Sequence, residues 1–215
     1  MRRLVAVIAA AAIAMAAAPA SHAETTPWFA PSVGNATQVI SVVGVGGSSA
    51  KMDVWQRTEA GWQPIAAGIP AHVGSAGMTP QSKDGYPATP MGIFTLDYVF
   101  GTAPPPGGGL QYLQVGSDDW WDGDGSSPTY NTHQHCRKDQ CHFDTSGSEN
   151  LNIPEYVHSV VMGVNTRERI PAHGAGFFLH ATDGGPTAGC VAIDDGTLVK
   201  IIQWLRPGAL IAIAQ

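Results

Sequence analysis

Charge is what this 215-residue sequence has least of. Only 13% of its residues are Asp, Glu, Lys or Arg, and 11 basic side chains stand against 17 acidic ones, for a net charge of −6. A chain this poor in lysine and arginine has no basic field, which argues against a nucleic-acid or anionic-membrane partner. Cysteine is scarce too, with three in the chain, so the fold is not a small disulfide-stapled scaffold. Long apolar runs are confined to the N-terminus, where Leu4–Ala18 is too short for a good transmembrane span. There are no internal repeats. The "GVGG" at Gly44–Gly47 continues into neither G-x-G-x-x-G nor a suitably placed lysine, so a phosphate-binding loop is excluded.

The N-terminus has the layout of an export signal. Arg2 and Arg3 precede the apolar run, and Ser21-His22-Ala23 is a small-x-small cleavage site. The expected organisation is a signal peptide over 1–23, a flexible Pro/Ser/Thr-rich lead over 24–36, and one domain over 37–215. Removal of the signal takes two arginines, so nine basic residues face seventeen acidic ones and the net charge becomes −8. Glycine (26) and proline (16) are abundant, which suits a loop-rich β protein better than a helical one.

The patterning agrees. "TQVISVVGVG" from Thr37 is a β-branched strand closed by glycines, and "AKMDVWQRTEAGWQPIAA" is a hairpin turning at Glu59-Ala60-Gly61. "GIFTL", "YVHSVVMGV", "GFFLHA" and "ALIAIA" are further strands, and "GTAPPPGGG" is a surface loop. One helix is predicted, in "DDGTLVKIIQWLRPG": Leu198, Ile201, Ile202 and Leu205 follow helical spacing, Asp194 or Asp195 caps the start, and Pro207-Gly208 ends it. Residues 117–150 show little periodicity, and a loop of that length is usually functional or disordered. The Trp120-Trp121 pair within it suits lid packing or, more sharply, a platform for a sugar or peptide.

The cysteines divide by position. Cys136 and Cys141 lie five apart and can close a disulfide in an oxidising compartment; together with His133, His135 and His142 they can also ligate zinc, the basis for a secreted zinc hydrolase as a rival reading. Cys190 is then left over, in a glycine-rich loop ten residues after His180. A thiol attacks only as thiolate and needs a base or an electropositive setting. His180, at the end of an apolar strand, can supply the base. Gly189 permits close backbone approach, and the amides of Gly189 and Cys190 can face an oxyanion. A core cysteine beside a hydrogen-bonded histidine is the plainer alternative. Asp183 is either a carboxylate orienting His180 or a turn former, and His158 is either a core histidine or a residue facing the site.

"TPMGIF" (Thr89–Phe94) and "FFLHATDGGPTAGCVAI" together resemble the L,D-transpeptidase (YkuD) catalytic domain, which carries an upstream Thr-Pro-x-Gly-x-Phe and, downstream, a strand ending in His, a loop, and Ser/Thr-x-Gly-Cys. The resemblance spans residue 37 to the end. It implies a mainly β, sandwich-like fold with one C-terminal helix and long loops. It also implies a secreted monomeric acyltransferase without cofactor, acting on peptidoglycan stem peptides. Cys190 would be the nucleophile and His180 the base, oriented by the carbonyl of Ala181. Thr187, Ala188 and Gly189 would form the oxyanion loop. Three departures accompany it: Ala188 stands where the family often has His, Ala192 where it often has Arg, and the His-to-Cys loop is short. His173 fits the family's longer spacing and is a rival base. A catalytically weak envelope-binding module of the same fold is the alternative function.

Overall fold

The computed structural model describes residues 26–215; the expected signal peptide lies outside the described residues. The strands are β1 (Gln38–Gly46), β2 (Ser49–Thr58), β3 (Gly61–His72), β4 (Met78–Thr79), β5 (Thr89–Pro90), β6 (Gly92–Gly101), β7 (Tyr112–Gln114), β8 (Asp119–Trp121), β9 (His133–His135), β10 (Glu149–Asn150), β11 (Ser159–Met162), β12 (Phe178–Ala181), β13 (Val191–Ile193) and β14 (Leu210–Ala214). A single α-helix, α1 (Asp195–Trp204), occurs among the described residues. The fold is the mainly β, sandwich-like architecture expected.

Nine strands form one ladder in the order β11-β12-β13-β3-β2-β1-β14-β6-β7, and β11 also pairs with β6. That extra pairing closes eight strands into a ring and leaves β7 outside it. Closure removes free strand edges. It also explains why the short "GIFTL" run extends to a ten-residue strand: Gly92–Thr95 pairs with β14, while Val99 and Phe100 pair with β11.

Strand alternation sorts residues between two packing regions. Ile40 and Val42 of β1, Leu179 of β12, and Val191 and Ile193 of β13 join one large core with Leu198, Ile201, Ile202 and Leu205 from the helical segment. The Asp194 side chain accepts the Thr197 N–H (2.9 Å) and caps α1. On the other side of β12 and β13, Phe178 and Cys190 join a second cluster with Phe100, Trp121 and Tyr156.

The lead departs from expectation over its described part. Phe29 is buried and meets Trp55 and Trp62 edge-on at centroid distances of 5.8 and 5.3 Å, with Val33 in the same cluster. Two tryptophans that project from the outer face of the β2–β3 hairpin need an apolar partner, and Phe29 provides it. The 117–150 segment is also built rather than loose. Its β8 pairs with both β9 and β10 in a small antiparallel sheet.

Candidate active site

Two parallel strands carry the candidate pair, His180 and Cys190. β12 and β13 run in register with Leu179 beside Val191 and His180 beside Ala192. Since side chains alternate, Phe178 and His180 share one face of β12, and Cys190 and Ala192 share the same face next door, opposite the main core. His180 and Cys190 are thus diagonal neighbours, roughly 8 Å apart at Cα from strand spacing and rise. Both open onto one cleft of about 460 Å³.

The His180 ring is oriented by its own strand. Nδ1 lies 2.7 Å from the Ala181 carbonyl oxygen. A carbonyl only accepts, so Nδ1 carries the proton and Nε2 keeps its lone pair. Tyr156 packs edge-on against the ring at 5.3 Å. Burial pushes the His180 pKa down, against a smaller upward pull from the Ala181 carbonyl and the carboxylates of Glu155 and Asp183. The imidazole is therefore neutral at neutral pH.

The loop leading to Cys190 is held by both sequence motifs at once. Thr89 Oγ1, from "TPMGIF", donates to the Cys190 carbonyl (3.1 Å) and accepts the Gly74 N–H (2.8 Å). Thr187 Oγ1 donates to the same carbonyl at 2.7 Å. Gly74 cannot be larger, because a Cβ there would lie 2.4 Å from the Pro87 oxygen. Gly189 has φ +141°, and its Cβ would lie 2.9 Å from the Phe177 ring.

Two expectations about this loop change. The Gly189 N–H donates to Thr187 Oγ1 (3.1 Å), so that amide is committed inside the loop instead of facing an oxyanion. Among the described residues the Cys190 amide has no hydrogen-bond partner, which leaves it as the free donor. The surroundings of the thiol are also not electropositive. Sγ accepts the Phe178 N–H (3.3 Å), donates to the Gly176 carbonyl (3.5 Å) and makes no hydrogen bond to His180. Burial, followed by the nearby Glu149 carboxylate, drives the thiol pKa well above the ordinary range, outweighing the bonds from Phe178 and Tyr156. Thiol and imidazole thus rest as a neutral pair.

The rival residues go elsewhere. His173 is exposed and lines a neighbouring groove with Lys83 and Phe94 that does not include Cys190. His158 bonds Asp195 at the start of α1 (2.9 Å). Asp183 accepts the Gly185 N–H (2.8 Å) as a turn former, while His180 Nδ1 is already taken by Ala181. Cys136 and Cys141 are joined to each other, which removes both thiols from any metal-ligand set, and His133 and His135 both bond Asp119 Oδ1 (2.8 and 3.0 Å). Trp120 and Trp121 are buried, with indole N–H groups on the Cys136 carbonyl and Asn131 Oδ1, so neither is a free stacking platform.

The model for the L,D-transpeptidase catalytic domain, YkuD, matches residues 48–213. The chain belongs to that family. Comparison with curated proteins and with solved structures finds no match. Of this L,D-transpeptidase domain, β1 and the Phe29 segment lie outside the matched span, yet β1 completes the ring between β2 and β14. The family's departures fall at the cleft: Ala188 is exposed at its rim, and Ala192 is buried beside His180.

Two cleft residues had no signal in the sequence. Tyr156 and Glu149 line the cleft, and the Tyr156 hydroxyl donates to Glu149 Oε1 (2.6 Å). A lone glutamate in an aperiodic segment and a tyrosine after a proline turn carry no local pattern, and only the β8–β10 pairing brings the glutamate inward.

Proposed function

We propose that this L,D-transpeptidase-family protein is a secreted cysteine acyltransferase acting on peptidoglycan stem peptides. The carrying observation is that His180 and Cys190 share one strand face and one cleft, with His180 Nε2 left free by the bond from Nδ1 to Ala181. Secretion is supported by the residue 1–23 signal pattern and by a disulfide, which persists in oxidising compartments. No helix among the described residues is long and apolar enough to cross a membrane. The catalytic domain runs from residue 37 to 215 in this reading.

Because the resting pair is neutral, the thiol proton moves to His180 Nε2 as sulfur attacks the carbonyl after the L-centre of meso-diaminopimelate. The Cys190 N–H donates to the developing oxyanion. Collapse breaks the C–N bond, and the departing D-alanine takes the proton from His180, leaving a thioester. An amine from another stem, or water, then gives up a proton to His180 as it attacks the thioester carbon. The C–S bond breaks and the proton returns to sulfur. An amine yields a 3→3 cross-link; water yields carboxypeptidase activity.

Mass spectrometry of the mature protein with a tetrapeptide donor, with and without an amine acceptor, tests this directly. An adduct on Cys190 that is absent from Cys190→Ala is expected. A second reading, an envelope-binding module, is favoured by the buried, acid-neighboured thiol and by Ala188 and Ala192. It predicts muropeptide binding unchanged in Cys190→Ala and no adduct in either protein.

A further inference from the structure

The cleft around Cys190 is acidic. Asp84, Glu149, Glu155 and Asp183 line it, and among the described residues Lys83 is the only lysine or arginine there. Two of these carboxylates, Asp84 and Asp183, are occupied or exposed, and Glu155 is half-buried in the Pro154–Tyr156 turn. Asp84 Oδ1 accepts from the Tyr130 hydroxyl and the Gly174 N–H, and Oδ2 from the Ala172 N–H. Asp183 is an exposed turn former.

Glu149 differs. Its Oε1 is anchored by the buried Tyr156 hydroxyl, while Oε2 has no hydrogen-bond partner among the described residues. Gly176 sits between that oxygen and the nucleophile: its carbonyl takes the Cys190 thiol at 3.5 Å, and a Cβ built on it would lie 3.6 Å from Oε2. Asn131 Oδ1 fixes this wall by accepting both the Gly176 N–H (3.1 Å) and the Trp121 N–H (2.8 Å). A cleft-lining carboxylate whose pKa burial pushes up, with one oxygen held and the other without a protein partner, is under-solvated, and a cation is the ligand that relieves it. Ala192 also lines the cleft, so that position offers no guanidinium to compete for Glu149.

We propose that Glu149 Oε2 is the binding point for a primary ammonium group of the substrate, directly beside Cys190. The cleft then selects by the amine of the stem peptide and not by its carboxylate. The proposal rests on the stem-peptide reading above. The ammonium belongs either to the donor's own third residue or to the acceptor. Docking it neutralises the charge that opposes the Cys190 thiolate, so a cation in place makes the sulfur easier to deprotonate.

Binding can be measured without chemistry. Calorimetry on Cys190→Ala would compare the tetrapeptide L-Ala–γ-D-Glu–meso-diaminopimelyl–D-Ala with the same peptide acetylated on its side-chain amine. Acetylation is expected to weaken binding about tenfold, and adding Glu149→Gln should erase that difference. Tyr156→Phe removes the anchor but keeps the charge, so the preference should survive it; it is the reporting variant if Glu149→Gln is unstable. A preference that is absent, that persists without the Glu149 charge, or that disappears in Tyr156→Phe overturns the proposal. In the Cys190 protein, slower acylation in Glu149→Gln marks the donor's ammonium as the ligand. Unchanged acylation with thioester diverted from the amine to water marks the acceptor's. An amine preference with no adduct on Cys190 would sink the acyl-transfer reading alone, and an adduct without the preference would sink this one alone.

Discussion

The two walls of the cleft are made differently. One is a pair of adjacent parallel strands, β12 and β13, whose alternation sends Leu179 and Val191 to the core and His180 and Cys190 to the cleft. The other is the 117–150 segment, which has almost no repeating pattern and delivers Glu149 through two short strand pairings and the Asn131 hydrogen bonds. A wall built on regular ladder bonds needs few special residues. A wall built from a long connection depends on individual polar side chains, each with a specific partner.

The largest test of this contrast is chemical. His180→Ala should lower the acylation rate by about 10²–10⁴-fold while leaving the fold intact, since the ladder around it is backbone-made. Quenched-flow mass spectrometry with circular dichroism separates the two effects, and equal loss of structure and rate would break the comparison.

Next comes the loop wall. Asn131→Ala leaves the buried Trp121 N–H without its acceptor and the Gly176 N–H unpaired. A cost of about 2–3 kcal/mol is expected in urea unfolding. Thr89→Val, in β5 beneath the strand wall, strips the Gly74 N–H of its partner. It should cost about 1–2 kcal/mol and slow acylation as well, because the same hydroxyl holds the Cys190 carbonyl. Thr89→Ser should restore both. If Asn131→Ala proves milder than Thr89→Val, the loop wall is less dependent on single side chains than its construction implies.

The mildest expected effect concerns pH. The lowered His180 pKa keeps the base neutral into mild acid, so the acid limb of the acylation profile should lie below the ordinary histidine value of about 6.5. The raised thiol pKa works in the other direction for direct chemistry. Alkylation of Cys190 by iodoacetamide should reach half its maximal rate well above pH 8.5, the midpoint of a free cysteine. Glu149→Gln removes the second cause but leaves burial, so the midpoint should move partway down. A wild-type midpoint near or below 8.5 would contradict the neutral resting pair.

Much of the fold was legible locally. The first strand and the β2–β3 hairpin, the α1 amphipathic face with Asp194 or Asp195 as its cap, and the closing strand β14 all follow from period and turn residues. The lead was not, because the partners that bury Phe29 are Trp55 and Trp62, some 26 and 33 positions further along the chain.

For the site, the amino-acid sequence alone determined the strand-borne half: a histidine ending an apolar strand, a glycine that must tolerate positive φ, and a thiol following it. Those features are encoded by neighbours within a dozen residues, where alternation and glycine content act directly. Tertiary structure alone decided the rest. It spent the Gly189 amide on Thr187, tied Thr89 to a carbonyl 101 positions away, and set Glu149 in the same cleft as Cys190. These contacts join distant segments through single polar atoms, and nothing in the local pattern of either partner specifies them. The burial of Cys190 and, after it, the acidity of the cleft keep the thiol neutral at rest, and both exist only once the chain has closed on itself.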